Sequence, residues 1–526
     1  MQYRALAVEV AAVTALPSTM LGRSAVLASV RSATLTGVDG RVVTVEVHVS
    51  TGLPSYHVVG LPDAAVRESR ERVRAALLSS QLEFPQQRIT VNLAPGGVRK
   101  TGAGFELAVA LGLIAATGQL ADGVIDGIGV LGELGLDGSV RPVPGALALV
   151  DALRGAGTDC VVVPTSDVAE ASLVDGMEVR AARSVAELRA CLKGESEWPE
   201  PPPVVARHND PPDLDDDPVD LADVRGLPRA RRALEVAAAG GHHLLLTGPP
   251  GTGKTMLARR LPTILPPLEP DEALEVTRIH SAAGHAPTHG LARRRPFRAP
   301  HHTASTAALV GGGSSRLRPG EVTLAHRGTL FLDELGEFPP HALDALRQPI
   351  EEHVVRISRQ AMSVVFPSDF LLIACSNPCP CGRGGPSCEC TEMQRARYRR
   401  RLSAPLLDRF DLRLEVHRPE SEDGPGEPSS TVRARVVEAV ARQHRRYASR
   451  PWLRNAKVPA GALTDVIPLT PEGEEAWRWA IGHDALTGRG AARVRRVART
   501  LADLEGAPEV DERHVTLAAS LREDVP

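Results

Sequence analysis

The chain has 526 residues, 43% of them hydrophobic and 24% charged, with a formal net charge of −3. That length predicts about three domains. The composition excludes wholesale disorder, and the charge excludes binding of nucleic acid through bulk positive charge, leaving only local basic patches for it. No run approaches the ~18 consecutive apolar residues of a membrane span. Only four of the 61 basic residues are lysine, namely Lys100, Lys193, Lys254 and Lys457, so each lysine is informative.

Residues 1–25 form an N-terminal extension. Arg4 precedes an apolar run from Ala5 to Leu16, but Glu9 interrupts it and no convincing cleavage site follows. Met20 offers an alternative start. The expectation is a cytoplasmic protein.

From 26 to 192 the pattern is that of one α/β domain. Val43, Val45, Val47 and Val49 alternate with mostly polar residues, the period-two mark of a half-buried strand. Ala64–Ser79 carries apolar residues at helical spacing, with Asp63 placed to cap it. Ile89–Leu93 and Val161–Val163 read as strands, and Phe105–Ala116 reads as a buried helix. The stretch 193–220 is a solvated linker, holding nine acidic residues, seven prolines and one arginine between Glu195 and Asp220. A second α/β domain spans 221–418. Helices expected at Val432–Tyr447, Pro471–Ile481, Gly490–Leu504 and Asp511–Leu521 fill 419–526.

The chemistry lies in the second domain. Leu244-Leu-Leu-Thr247 is a short apolar strand running into Gly248, Pro249, Pro250, Gly251, Thr252, Gly253, Lys254 and Thr255, with a helix expected over Met256–Leu261. This is G-x-x-x-x-G-K-[ST] in its strand–loop–helix context. Glycines let backbone N–H groups face phosphates, and the helix N-terminus adds a positive dipole end. Lys254 can reach the β/γ-phosphates of ATP, and the Thr255 hydroxyl can bind Mg²⁺. Thr329-Leu-Phe-Leu332 is a buried strand ending in Asp333 and Glu334. Asp333 would hold Mg²⁺ and Glu334 would polarise the attacking water. A third strand, Phe370–Cys375, places Asn377 to contact the γ-phosphate or that water.

Cys379-Pro-Cys381 and Cys388-Glu-Cys390 put four thiols within twelve residues, and Gly382, Gly384 and Gly385 permit a tight turn. Tetrahedral closure on Zn²⁺ and a pair of disulfides both remain open, the metal being favoured in a cytosolic protein. Five arginines fall between Arg395 and Arg401. A hairpin from Val354–Ser358 and Ser363–Phe366 carries Arg356 and Arg359. Both elements read equally as solvated surface or as nucleic-acid contact. Adjacent His301 and His302 cannot easily chelate one ion and read as structural or interface residues.

With Gly226, these features resemble an AAA+ ATPase, and more closely the YifB/ComM family of magnesium-chelatase-like proteins. The finer match is carried by Gly52-Leu-Pro-Ser-Tyr-His-Val-Val-Gly60-Leu-Pro-Asp63, Arg298-Ala-Pro-His-His302-Thr, Ala325-His-Arg-Gly328, Asn377-Pro-Cys-Pro-Cys381-Gly, Pro405-Leu-Leu-Asp-Arg409-Phe-Asp411 and Arg496-Val-Ala-Arg499-Thr. It covers nearly everything from Ser29 to Leu521. The resemblance implies an α/β chain with a Lon-protease-like N-terminal domain, an AAA+ P-loop core and a helical C-terminal lid. It further implies an ATP-driven homo-oligomeric ring, a hexamer, acting on branched or single-stranded DNA without sequence specificity. Branch migration of recombination intermediates during natural transformation would be its task. The alternative is a magnesium-chelatase-type motor subunit driving metal insertion into a porphyrin.

Two arginines gain roles from the same resemblance. Arg409 matches the arginine finger that reaches a neighbour's nucleotide, and Arg489 matches the lid arginine that senses the γ-phosphate in cis. A surface arginine is the alternative for each. In the N-terminal domain, Asn92-Leu-Ala-Pro, Lys100-Thr-Gly-Ala-Gly104 and the run from Gly132 to Leu147 resemble the proteolytic domain of Lon. That family uses a Ser–Lys dyad. Here the serine position is Gly104 and the lysine position is Leu147, so the expectation is the fold without the protease.

Overall fold

The structure is a computed structural model that describes residues 25–100, 102–200, 219–285, 290–313, 317–359, 362–418, 426–483 and 487–522. The N-terminal extension up to 24 and the linker over 201–218 lie outside the described residues. Contacts divide the chain into two compact units. The first comprises the described residues up to Ser32, Val43–Arg141 and Ala182–Trp198; the second comprises Ala33–Val42, Pro142–Ala181 and the described residues from Pro199 on. The N-terminal α/β pattern is thus shared out between them.

In the first unit, Val43, Val45, Val47 and Val49 are buried and the residues between them are half-exposed, as the alternation predicts. Their strand pairs antiparallel with Arg88–Ala94, which pairs in parallel with Ser55–Val59. Helix Ala64–Ser79 is capped by Asp63, whose Oδ1 accepts the Val66 N–H at 2.9 Å. Helix Glu106–Ala116 is buried nearly all round, which explains its almost unbroken apolar sequence. Its one charge, Glu106, is held by Arg72 at 2.6 Å and by the Leu134 N–H at 3.0 Å.

The second unit is built on a five-stranded parallel sheet. Its order is Phe297–Arg298, Thr329–Leu332, Leu371–Ser376, Leu244–Thr247, Leu412–Glu415. The three central strands are covered on both faces and buried along their whole length, so they are almost continuously apolar, whereas the edge strand Leu412–Glu415 alternates. Leu244 and Leu246 enter a core formed with helices Pro228–Gly240, Ser429–Arg446 and Gly488–Glu505. Leu245 enters the opposite core with Leu330, Leu332, Leu372 and Phe338. The four C-terminal helices occur as Ser429–Arg446, Pro471–His483, Gly488–Glu505 and Glu512–Ser520. The hairpin forms from Val354–Arg359 and Met362–Pro367, paired antiparallel.

One local expectation shifts. The helix after the phosphate loop begins at Lys254 and ends at Arg259, with a separate turn Leu261–Ile264. Pro262 has no N–H to continue the ladder, and its ring crowds the preceding turn.

Candidate active site

Parallel strands deliver their C-terminal ends to one edge, and that edge gathers the site. The register sets Thr247 beside Ser376 and Leu332 beside Ala374. Gly248, Asp333, Glu334 and Asn377 therefore leave the sheet together. Gly251 and Gly253 adopt φ of 77° and 86°, a left-handed backbone that a side chain would strain. This turn aims the start of the Lys254 helix at the loop.

Lys254 is buried, and its Nζ donates to the carbonyls of Gly248 at 2.7 Å and Pro249 at 2.8 Å. Burial lowers the pKa of its ammonium, with nearby Asp333 opposing the shift. Among the described residues this partly desolvated cation bonds to neutral carbonyls, and such a cation gains most from an anion such as phosphate. The Thr255 hydroxyl donates to Asp333 Oδ2 at 2.9 Å. A hydroxyl and a carboxylate side by side are the hard oxygen donors that suit Mg²⁺.

Glu334 follows at φ 52°, in the left-handed region, with its N–H bonded to Asp333 Oδ1 at 3.0 Å. Such strain in a non-glycine residue is tolerated where the surroundings fix it, often at functional sites. Its side chain is half-exposed, and its Oε2 lies 3.2 Å from His302 Nδ1. His302, read from the sequence as a structural or interface residue, has its ring beside the Glu334 carboxylate. No local pattern marked it: His302 closely follows Phe297–Arg298, which becomes the neighbour of Thr329–Leu332 only in the assembled sheet. Asn377 follows Ser376, and Tyr398 packs back onto both, hydrogen-bonded to the Ser376 side chain and the Asn377 backbone.

The two arginines sit in ion pairs within the chain. Arg409 is largely buried, bonded to the Pro405 carbonyl and paired with Glu351 at 2.7 Å. Arg489 is exposed and lies 3.7 Å from Asp408, which also pairs with Arg493 at 3.3 Å. Segment 408–411 is thereby tied to helix Gly488–Glu505, for Arg493 also holds Asp411 at 3.0 Å. The four clustered cysteines do converge: their sulfurs all lie within 4.8 Å of one another. Arg356 is exposed and paired with Glu352 at 3.3 Å, while nothing is described of the Arg359 side chain.

Three family models of magnesium chelatase match the chain: subunit ChlI over residues 220–423, subunit ChlI of Mg-chelatase over 45–167, and the ChlI C-terminal part over 426–522. An uncharacterised protein of Mycobacterium tuberculosis is 43% identical over 499 residues, 94% of this chain and 98% of its own length. The uncharacterised protein YifB of Salmonella typhimurium is 41% identical, covering 94% and 97% of the two chains. Competence protein ComM of Haemophilus influenzae is 38% identical, covering 94% and 97%. The chain belongs to the YifB/ComM family of magnesium-chelatase-like proteins. As a member of that family it is an AAA+ ATPase motor, with ATP and Mg²⁺ as its cofactors. Among the described residues, no helix is long and apolar enough to cross a membrane.

Proposed function

We propose that this chain forms an ATP-driven ring, a hexamer, that moves DNA in the cytoplasm, branch-migrating recombination intermediates during natural transformation. The observation that carries the motor half is the meeting of Lys254, the Thr255–Asp333 pair and Glu334 at one sheet edge. Lys254 trades its carbonyl bonds for phosphate oxygens, Thr255 and Asp333 hold Mg²⁺, and Glu334 takes a proton from the attacking water. The metal supplies charge neutralisation at the phosphates. Asn377 orients the γ-phosphate or the water, and Arg489 senses it from the lid. Arg409 serves a neighbouring copy after exchanging Glu351 for that copy's nucleotide, which requires a ring. In this reading 26–192 is a Lon-like domain without its dyad, 221–418 the core and 419–526 the lid.

The DNA half is supported by likeness to a competence protein and by basic side chains. Arg395, Arg397, Arg399 and Arg400 are exposed on helix Glu392–Arg401, and Arg356 is exposed on the hairpin. Repeated around a ring, such groups would contact phosphates without reading bases. A second reading is favoured by the family models themselves: a motor subunit that drives Mg²⁺ into a porphyrin. ATPase rate with branched DNA, with porphyrin and with neither decides between them. Stimulation by DNA that weakens steeply with salt supports the first reading. Stimulation by porphyrin alone supports the second.

A further inference from the structure

We propose that Cys379, Cys381, Cys388 and Cys390 hold one zinc ion as four thiolates, and that this metal-closed loop braces the phosphate loop. The coupling half rests on the ATPase reading above; the metal half does not. Zn–S arms of about 2.3 Å in a tetrahedron set sulfurs about 3.8 Å apart. The Sγ separations are 3.3 Å for Cys379–Cys381, 3.5 Å for Cys379–Cys388 and 3.8 Å for Cys381–Cys388. All four cysteines are unbridged.

Backbone N–H groups point at the sulfurs, as thiolates sharing a dication require. The Cys381 N–H meets Cys390 Sγ at 3.4 Å, those of Arg383 and Glu389 meet Cys381, and that of Gly384 meets Cys379. Of the four cysteines only Cys379 is buried, and three glycines in the loop have positive φ: Gly382, Gly384 and Gly385. A loop that orders so many flexible residues and buries so little needs a cross-link to hold one shape.

That shape touches the nucleotide site at both ends. A Cβ added at Gly382 would lie 2.9 Å from Pro250 Cδ in the phosphate loop. The loop begins two residues after Asn377. It ends at Thr391, which caps helix Glu392–Arg401, and Tyr398 of that helix packs on Gly336 and bonds to Ser376 and Asn377. Removing the metal would therefore release Pro250 and Asn377 together.

The test uses the untagged full-length chain prepared under reducing conditions. Elemental analysis should find one zinc per chain, and Co²⁺ exchanged into the site should give the visible spectrum of tetrahedral thiolate coordination. Cys379→Ser with Cys388→Ser should lose the metal. Stripping the zinc by chelation, with the chelator then removed and Mg²⁺ restored, should weaken binding of a fluorescent ATP analogue about tenfold while circular dichroism stays unchanged. A folded chain that takes up neither zinc nor cobalt, or whose mass shows the four thiols paired as disulfides, overturns the metal site. Zinc that can be removed without changing nucleotide affinity overturns the brace. A zinc-loaded chain that binds no ATP at all would instead overturn the ATPase reading and leave the metal site standing.

Discussion

Two lysines, one in each unit, follow a strand and sit beside a glycine-bearing loop, yet their surroundings differ. Lys100 follows Arg88–Ala94 and is completely buried, its Nζ donating to the Pro95 carbonyl and its pKa lowered by desolvation. The loop beside it is closed by its own neighbourhood: Asp63 spends Oδ1 on the Val66 N–H and Oδ2 on the Gly102 N–H at 3.0 Å. Gly104, at the nucleophile's position, offers no side chain. Lys254 is also buried and also bonded to carbonyls, but a hydroxyl and two carboxylates stand at the same sheet edge. A lysine beside a glycine turn becomes a reaction site only when further reactive groups converge on it.

The largest effects should come from breaking the second constellation. Lys254→Ala should cut ATP turnover by at least about 10²–10³-fold, the usual cost of removing a donor to developing charge. Glu334→Gln should cut it by about 10²–10⁴-fold while ATP still binds, because Thr255 and Asp333 remain. Single-turnover hydrolysis and equilibrium binding separate the two outcomes. Wild-type turnover by Glu334→Gln would remove that residue from the role of base.

A smaller effect is expected at His302, whose ring lies 3.2 Å from the Glu334 carboxylate. His302→Ala should lower kcat about tenfold, less than loss of the base itself, with ATP affinity unchanged. A raised KM with kcat unchanged would show instead that the ring acts on binding. Arg356→Ala should reduce DNA stimulation severalfold and leave basal turnover intact, as read from salt-dependent ATPase assays.

A pH test probes the phosphate-loop strand. His243 sits immediately before it, and its Nδ1 accepts the Leu372 N–H at 3.0 Å, so protonation would break a bond between adjacent strands. Desolvation lowers its pKa from 6.5 to about 4, with Asp411 opposing the shift. Between those values the unfolded chain binds the proton and the folded chain does not, so stability should fall as pH drops from 6.5 towards about 4. Denaturant titrations across that range check the sign, and His243→Gln should flatten the slope. The smallest effect belongs to the first unit: Gly104→Ser should leave the full chain without peptidase activity. Cleavage blocked by a serine-reactive probe would erase the contrast between the two lysines.

The phosphate loop was legible because phosphate dictates each residue type in it, and the valine strand because alternate burial leaves a period of two. Helix Glu392–Arg401 was not, since its sequence is almost wholly polar. Its start is set by the Thr391–Gln394 capping box and its seat by one buried side chain, Tyr398. Nor was the inward turn of Arg409, because its partner Glu351 is remote in sequence. The motif singles out Arg409, and tertiary packing decides which way it faces. His302 was hidden for a related reason. Its meaning depends on which strand ends are neighbours, a property of sheet order that no local pattern carries.

The way the chain is shared between its units also limits how the gene can be divided. Val38 packs with Val364 and Phe366 of the hairpin, and Gly37 leaves room for Val364 where a Cβ would collide. Ser281 donates to Glu170, which also accepts the Leu147 N–H at 2.6 Å, and Arg278 pairs with Asp151 at 2.7 Å. All of these contacts lie within the second unit, although Val38, Leu147, Asp151 and Glu170 precede the acidic linker. A fragment cut at that linker would bare the apolar back of the hairpin and strand the charges on helix Pro270–Ala283. The motor is therefore no cassette to be lifted out and spliced elsewhere, and recombination between relatives would have to inherit both ends of the reading frame together.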